Sequence, residues 1–190
     1  MGFVDLLEKQ GFEVSTEKIT NTSNKPYIVT VRNGEAVCKY LLKPARACNM
    51  EVYDAVSGKI KTPTIVYQSE NEVAYDFIEG ETVERMIIEK SPEDIEAVKA
   101  AGVALRKLHD AGAIHGDADT GHFIYFDGEC FTIDLDKKDS MYIGQGLVQY
   151  FMRRHDISHF CLLLEGDCRK AGRPVSDMVT LEDAFMVGYT

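Results

Sequence analysis

His115-Gly116-Asp117-Ala118-Asp119-Thr120-Gly121-His122-Phe123-Ile124 and, a few residues on, Thr132-Ile133-Asp134-Leu135-Asp136 are the most informative part of this 190-residue chain. They follow a segment ending in Leu105-Arg106-Lys107-Leu108-His109, whose stripe of Ile95, Val98, Leu105 and Leu108 predicts an amphipathic helix. Four polar residues, Asp117, Asp119, His122 and Asp134, then stand on a loop and a hairpin between apolar anchors. Asp127-Gly128 is a hairpin turn signal, and closure there brings Asp117 and Asp134 near each other. Two carboxylates held together attract a hard cation such as magnesium. A metal so placed can clamp the oxygens of a transferring phosphoryl group.

Working outward, the N-terminal part predicts strands. Gly2 to Gln10 reads as a short amphipathic helix with Phe3, Leu6 and Leu7 on one face. Phe12 to Ile19 alternates, and Pro26 to Val31 and Ala36 to Leu42 flank an Asn33-Gly34 turn. Pro44 is expected to open a helix running to Val56. Thr64 to Gln68 and Val73 to Ile78 predict a second hairpin, and Thr82 to Ile88 a short helix. Ser91 is the expected N-cap of the long helix, with Pro92 in its first turn and Ala111-Gly112 at its end. From about Gly144 the chain reads as helical, with a last short helix from about Leu181. Strands first and helices after predict an α+β class with two lobes, a β-rich one over 1–78 and a mostly helical one over 79–190, in one domain.

Composition narrows the partners. The net charge of −10 opposes a general nucleic-acid or anionic-membrane surface, because phosphates repel such a field. The basic residues Lys137, Lys138, Arg153, Arg154, Arg169, Lys170 and Arg173 cluster in sequence and read as a solvated face. The start lacks the regions of a signal peptide, and no apolar run reaches bilayer length. Five scattered cysteines, an odd number, argue against a disulfide framework. A cytoplasmic protein with reduced thiols is expected.

The His115–Asp136 stretch resembles the catalytic loop and metal motif of protein-kinase-like enzymes, closest to small atypical kinases. These include the kinase subunit of the KEOPS tRNA-modification complex, the RIO kinases and the lipopolysaccharide Kdo kinases. The resemblance implies that Asp117 accepts the acceptor's hydroxyl proton, that Asp134 chelates magnesium on ATP, and that His115 is structural. It implies further that Lys39, in Val37-Cys38-Lys39-Tyr40, grips the phosphates and that Glu51 pairs with it. Val73 to Gly80 is similar to the interlobe strand and hinge. Tyr75 is then the gatekeeper, and the backbones of Asp76 and Ile78 take the adenine edge. Asp156 resembles the helix aspartate that braces the catalytic loop; taken alone, it reads equally well as a helix N-cap.

Two departures stand out. His122 occupies the position of a metal-binding asparagine, and an imidazole nitrogen suits manganese or zinc better than magnesium. The expected phosphate-covering turn, Thr20 to Lys25, has no glycine, so Ser23 and Lys25 are expected to help there. The segment after Asp136 is short for a peptide-docking platform. A zinc site at His155, His159 and Cys161 has the wrong spacing, and Gly116–His122 lacks the Lys-Ser/Thr of a P-loop. The expectation is an ATP- and magnesium- or manganese-dependent kinase acting on a hydroxyl acceptor, either a protein Ser/Thr or a small molecule. The alternative is a nucleotide-binding pseudokinase or slow ATPase switch acting through a protein partner.

Overall fold

The computed structural model describes residues 2–19, 26–45, 50–135, 140–143 and 146–190. The chain forms two compact units, Met1–Cys48 with Pro63–Phe77, and Asn49–Thr62 with Ile78–Thr190.

In the first unit, helix α1 (Phe3–Lys9) accompanies an antiparallel sheet of β1 (Glu13–Lys18), β2 (Tyr27–Asn33), β3 (Ala36–Pro44), β4 (Ile65–Gln68) and β5 (Glu72–Asp76). The strand order is β1-β2-β3-β5-β4. The β2–β3 hairpin pairs Asn33 with Ala36 around Gly34, whose φ of 62° needs a residue without Cβ strain. Alternation places Val29, Val31, Leu42 and Ala74 on one face of the sheet, where Phe3 covers them. Phe3 is held edge-on by Tyr40 at 5.4 Å, and its N–H donates to the Glu72 carboxylate. Burying that one ring contributes roughly 2–3 kcal/mol. Pro44 is the last residue of β3, opposite Glu72, where a strand end tolerates the missing N–H; Ala45 directly after it is 3₁₀-helical, and the helix described next runs from Met50 to the expected end at Val56.

The second unit holds α2 (Met50–Val56), β6 (Glu81–Thr82), α3 (Val83–Glu89), α4 (Asp94–Asp110), β7 (Ala113–Ile114), β8 (Phe123–Phe126), β9 (Glu129–Thr132), β10 (Met141–Tyr142), α5 (Leu147–Lys170) and α6 (Val175–Tyr189). Thr82 caps α3 through its hydroxyl. Helix α4 starts later than its sequence suggests. Ser91 closes a turn onto Asp94 and takes the Glu93 N–H on its hydroxyl, so Glu93 is the N-cap. The C-terminal helix starts earlier than expected, directly after Pro174.

The β8–β9 hairpin turns at Asp127 and Gly128, with φ of 50° and 79°, and pairs with β6. The core stacks Phe160 on Phe185 at 4.2 Å and sets Phe123 edge-on to Phe160 at 5.5 Å. Helices α4 and α6 approach backbone to backbone. A Cβ on Gly188 would lie 2.0 Å from the Lys99 carbonyl oxygen, and one on Gly102 would lie 2.3 Å from that of Phe185. Among the described residues, no helix is long and apolar enough to cross a membrane. The architecture is α+β, β-rich first and mostly helical after.

Candidate active site

The loop between β7 and β8 is built on buried polar groups. Asp156, fully buried in the middle of α5, accepts the N–H groups of His115 at 2.8 Å and Gly116 at 2.9 Å. It also accepts Nε2–H of His109 at 3.0 Å, so three donors compensate one buried carboxylate. Its position in the third turn of the helix rules out an N-cap role. His109 is fixed in turn by the Tyr189 hydroxyl, 2.7 Å from Nδ1. The His109 carbonyl takes Gln149 and Arg153, each at 2.5 Å. His115 is fully buried and donates Nε2–H to the Ile133 carbonyl at 3.0 Å, while its own carbonyl accepts the Ser140 hydroxyl. Burial, with the neighbouring His122 ring, lowers its pKa to about 4, so the ring is neutral at pH 7.

His122 joins the loop to the strand that follows it. The Asp119 carboxylate accepts the Gly121 N–H at 2.6 Å and starts the short turn Thr120–His122. The His122 ring stacks on His115 at 5.2 Å. Its Nδ1 is 2.7 Å from the Asp117 carbonyl oxygen, which only accepts, so the proton lies on Nδ1. Nε2 is therefore the nitrogen facing Asp134, 3.6 Å from Oδ2. Asp134 adopts a left-handed φ of 58°, which aspartate tolerates better than most residues. Ligand atoms from Asp117, Asp119 and His122 come within 4.8 Å of one another. An imidazole nitrogen among carboxylates fits a divalent cation, and the mixed donor set favours manganese over magnesium.

The other expected site residues are placed as follows. Lys39, exposed on β3, holds its ammonium 5.7 Å from the centre of the Phe77 ring, and its carbonyl accepts the Phe77 N–H. Tyr75 is buried, with the Lys43 ammonium 5.7 Å from its ring centre. Asp76 donates its N–H to the Thr64 carbonyl. Ile78 is the first residue after the crossing into the second unit, and Glu51 stands exposed in the first turn of α2. Ser23, Lys25 and Asp136 lie outside the described residues. His155 and His159 stack on each other at 6.0 Å. Among the described residues, the one group of three side chains placed to share a metal ion is Asp117, Asp119 and His122; the expected Asp134 is not in it and meets the group through the His122 ring. Four of the C-terminal basic residues have acidic partners: Arg153 has Asp110, Arg169 has Glu165, Lys170 has Asp167 and Glu84, and Arg173 has Asp94.

Sequence reasoning missed His109, Tyr189, Thr120 and Asp167. The available signal was the spacing of Asp156 and Asp167, three turns apart and so on one face of a helix.

An α+β architecture with a β-rich N-terminal part is consistent with a protein-kinase-like fold. No protein-family model matches the chain. It is 31% identical over 86 residues to the KEOPS complex subunit Bud32 of Pyrococcus abyssi, a match covering 43% of this chain and 39% of that one. It is 28% identical over 131 residues to a probable bifunctional tRNA threonylcarbamoyladenosine biosynthesis protein of Methanoculleus marisnigri, covering 69% and 21% of the two chains. Both relatives are atypical members of the protein-kinase-like superfamily, and the chain is their homologue at low identity. The chain spans well under half the length of either.

Proposed function

We propose that this chain is an ATP-dependent phosphotransferase of the atypical-kinase kind, acting in the cytoplasm with a protein partner in tRNA-modification machinery. One observation carries the proposal: His122 is held between the Asp117 carbonyl and the Asp134 carboxylate. A catalytic loop and a metal motif are thereby joined through one ring. Asp117 orients the acceptor hydroxyl and takes its proton. Asp134 and His122 Nε2 hold magnesium or manganese, which neutralises charge on the ATP phosphates. Lys39 orients those phosphates and Glu51 keeps it aimed, with Ser23 and Lys25 assisting. The Asp76 carbonyl and the Ile78 backbone recognise the adenine edge. The acceptor is the hydroxyl of a protein Ser/Thr or of a small molecule.

A second reading, a slow ATPase switch in which water is the acceptor, draws on the same ring. An imidazole in place of an amide oxygen favours metal·ATP retention over rapid transfer. The names of the two relatives, one a complex subunit and one a tRNA-modification protein, suit a switch inside an assembly.

The test is calorimetric titration of ATP with magnesium and then with manganese, on wild type and Asp134→Asn. Metal-dependent binding lost in the variant supports the assignment. Equal binding by both proteins, or none by wild type with either metal, overturns it. Asp117→Ala should then abolish transfer or hydrolysis while leaving ATP affinity within about threefold, and Lys39→Ala should weaken that affinity about tenfold or more.

A further inference from the structure

Asp156 is not the only aspartate that α5 directs at the loop. Three turns on, Asp167 is 3% exposed and accepts the hydroxyl of Thr120, itself 2% exposed, at 2.5 Å. Asp156 takes the N–H groups of residues 115 and 116, and Asp167 takes the side chain of residue 120. One rigid helix therefore grips the loop at both ends. The second grip is tied down in its turn. Lys170 donates to the other Asp167 oxygen at 2.8 Å and lies 3.6 Å from Glu84. Glu84 returns to the same turn, its other oxygen 3.2 Å from where a Cβ on Gly121 would stand. The chain of polar contacts Thr120–Asp167–Lys170–Glu84 thus runs beside the turn that carries His122.

A buried carboxylate beside Phe160, Leu164 and Cys168 in the buried face of α5 costs desolvation that an apolar residue would avoid. Its return is geometric. Thr120 has a hydroxyl that must point at Asp167, so the turn has one register, and His122 two residues on has one position.

We propose that Asp167, acting through Thr120, is the positioning residue that sets the His122 ring against Asp134, and that Lys170 and Glu84 hold it there. The proposal rests on the metal-site assignment above only for its functional consequence. The geometric claim stands apart from nucleotide.

The experiment uses the full chain with Asp167→Asn, Thr120→Val, Thr120→Ser and the Thr120→Val/Asp167→Asn pair. Without nucleotide, the His122 ring resonance and the amide exchange of Gly121 and His122 are followed by NMR. Expected are a displaced His122 resonance and faster exchange in Asp167→Asn and Thr120→Val, wild-type values in Thr120→Ser, and no further change in the double variant. Manganese affinity, read by electron paramagnetic resonance, should fall about 10- to 100-fold in the same variants, as for residues that orient a ligand. A lowered melting temperature with unmoved His122 signals would overturn the proposal, leaving Asp167 a merely structural group. If the signals move while wild type binds neither manganese nor metal·ATP, the clamp stands and the phosphotransfer assignment falls. If the signals move and wild type binds manganese, but the variants bind it as tightly as wild type, the link from Asp167 to the metal site is refuted.

Discussion

His122 stands at the position where the resembling kinases carry an asparagine, and its ring does what an amide could not. It stacks on His115, binds the Asp117 carbonyl through Nδ1 and presents Nε2 to Asp134. His122→Asn should shift metal preference toward magnesium by about tenfold in the ratio of the two affinities, checked by competitive titration. A ratio unchanged from wild type would remove His122 from the metal site. The buried His115 supplies a pH test. Its ring ionises near pH 4 in the fold against an ordinary value of 6.5, so between these values the unfolded chain binds a proton that the native one does not. Stability therefore falls as pH drops through that window, by on the order of 3 kcal/mol, and is steady above it. Urea midpoints at pH 7 and 4.5 should show this slope in wild type and a flatter one in His115→Asn.

At the scale of elements, motif residues were easier to place from sequence than helix ends. The β2–β3 and β8–β9 hairpins fall on the Asn33-Gly34 and Asp127-Gly128 signals because positive φ is a local demand. The start of α4 was misplaced because Ser91 has the chemistry of a cap, yet its hydroxyl and carbonyl close a turn before the helix. Helix α6 starts directly after Pro174, whose fixed φ suits the entry to a helix. Its crossing with α4 runs through Gly102 and Gly188, two positions no periodicity distinguishes from other small residues. Gly188→Ala should cost about 2 kcal/mol or more, since the new methyl meets backbone rather than a movable side chain. A urea midpoint equal to wild type would contradict that crossing.

For the whole molecule, charge decides what the chain can do alone. The net charge of −10 opposes RNA binding, and Arg153, Arg169 and Arg173 are each paired to a carboxylate. If the chain serves tRNA modification, a partner must supply the basic surface. In filter binding, the isolated chain should then show no retention of tRNA at about 150 mM salt. Micromolar binding would show that the paired arginines open to phosphate. The order of strands and helices and the hairpin turns were determined by sequence, because each is a local pattern, whereas the roles expected of Lys39, Glu51, Asp117 and Asp134 rest on a resemblance. Tertiary structure alone decided which nitrogen of His122 meets Asp134, that His109 and Tyr189 stand behind Asp156, and that Asp167 reaches Thr120. Those are contacts between groups 47 or 80 residues apart, or choices between two ring atoms. Only the packing of α5 and α6 against the loop selects among them.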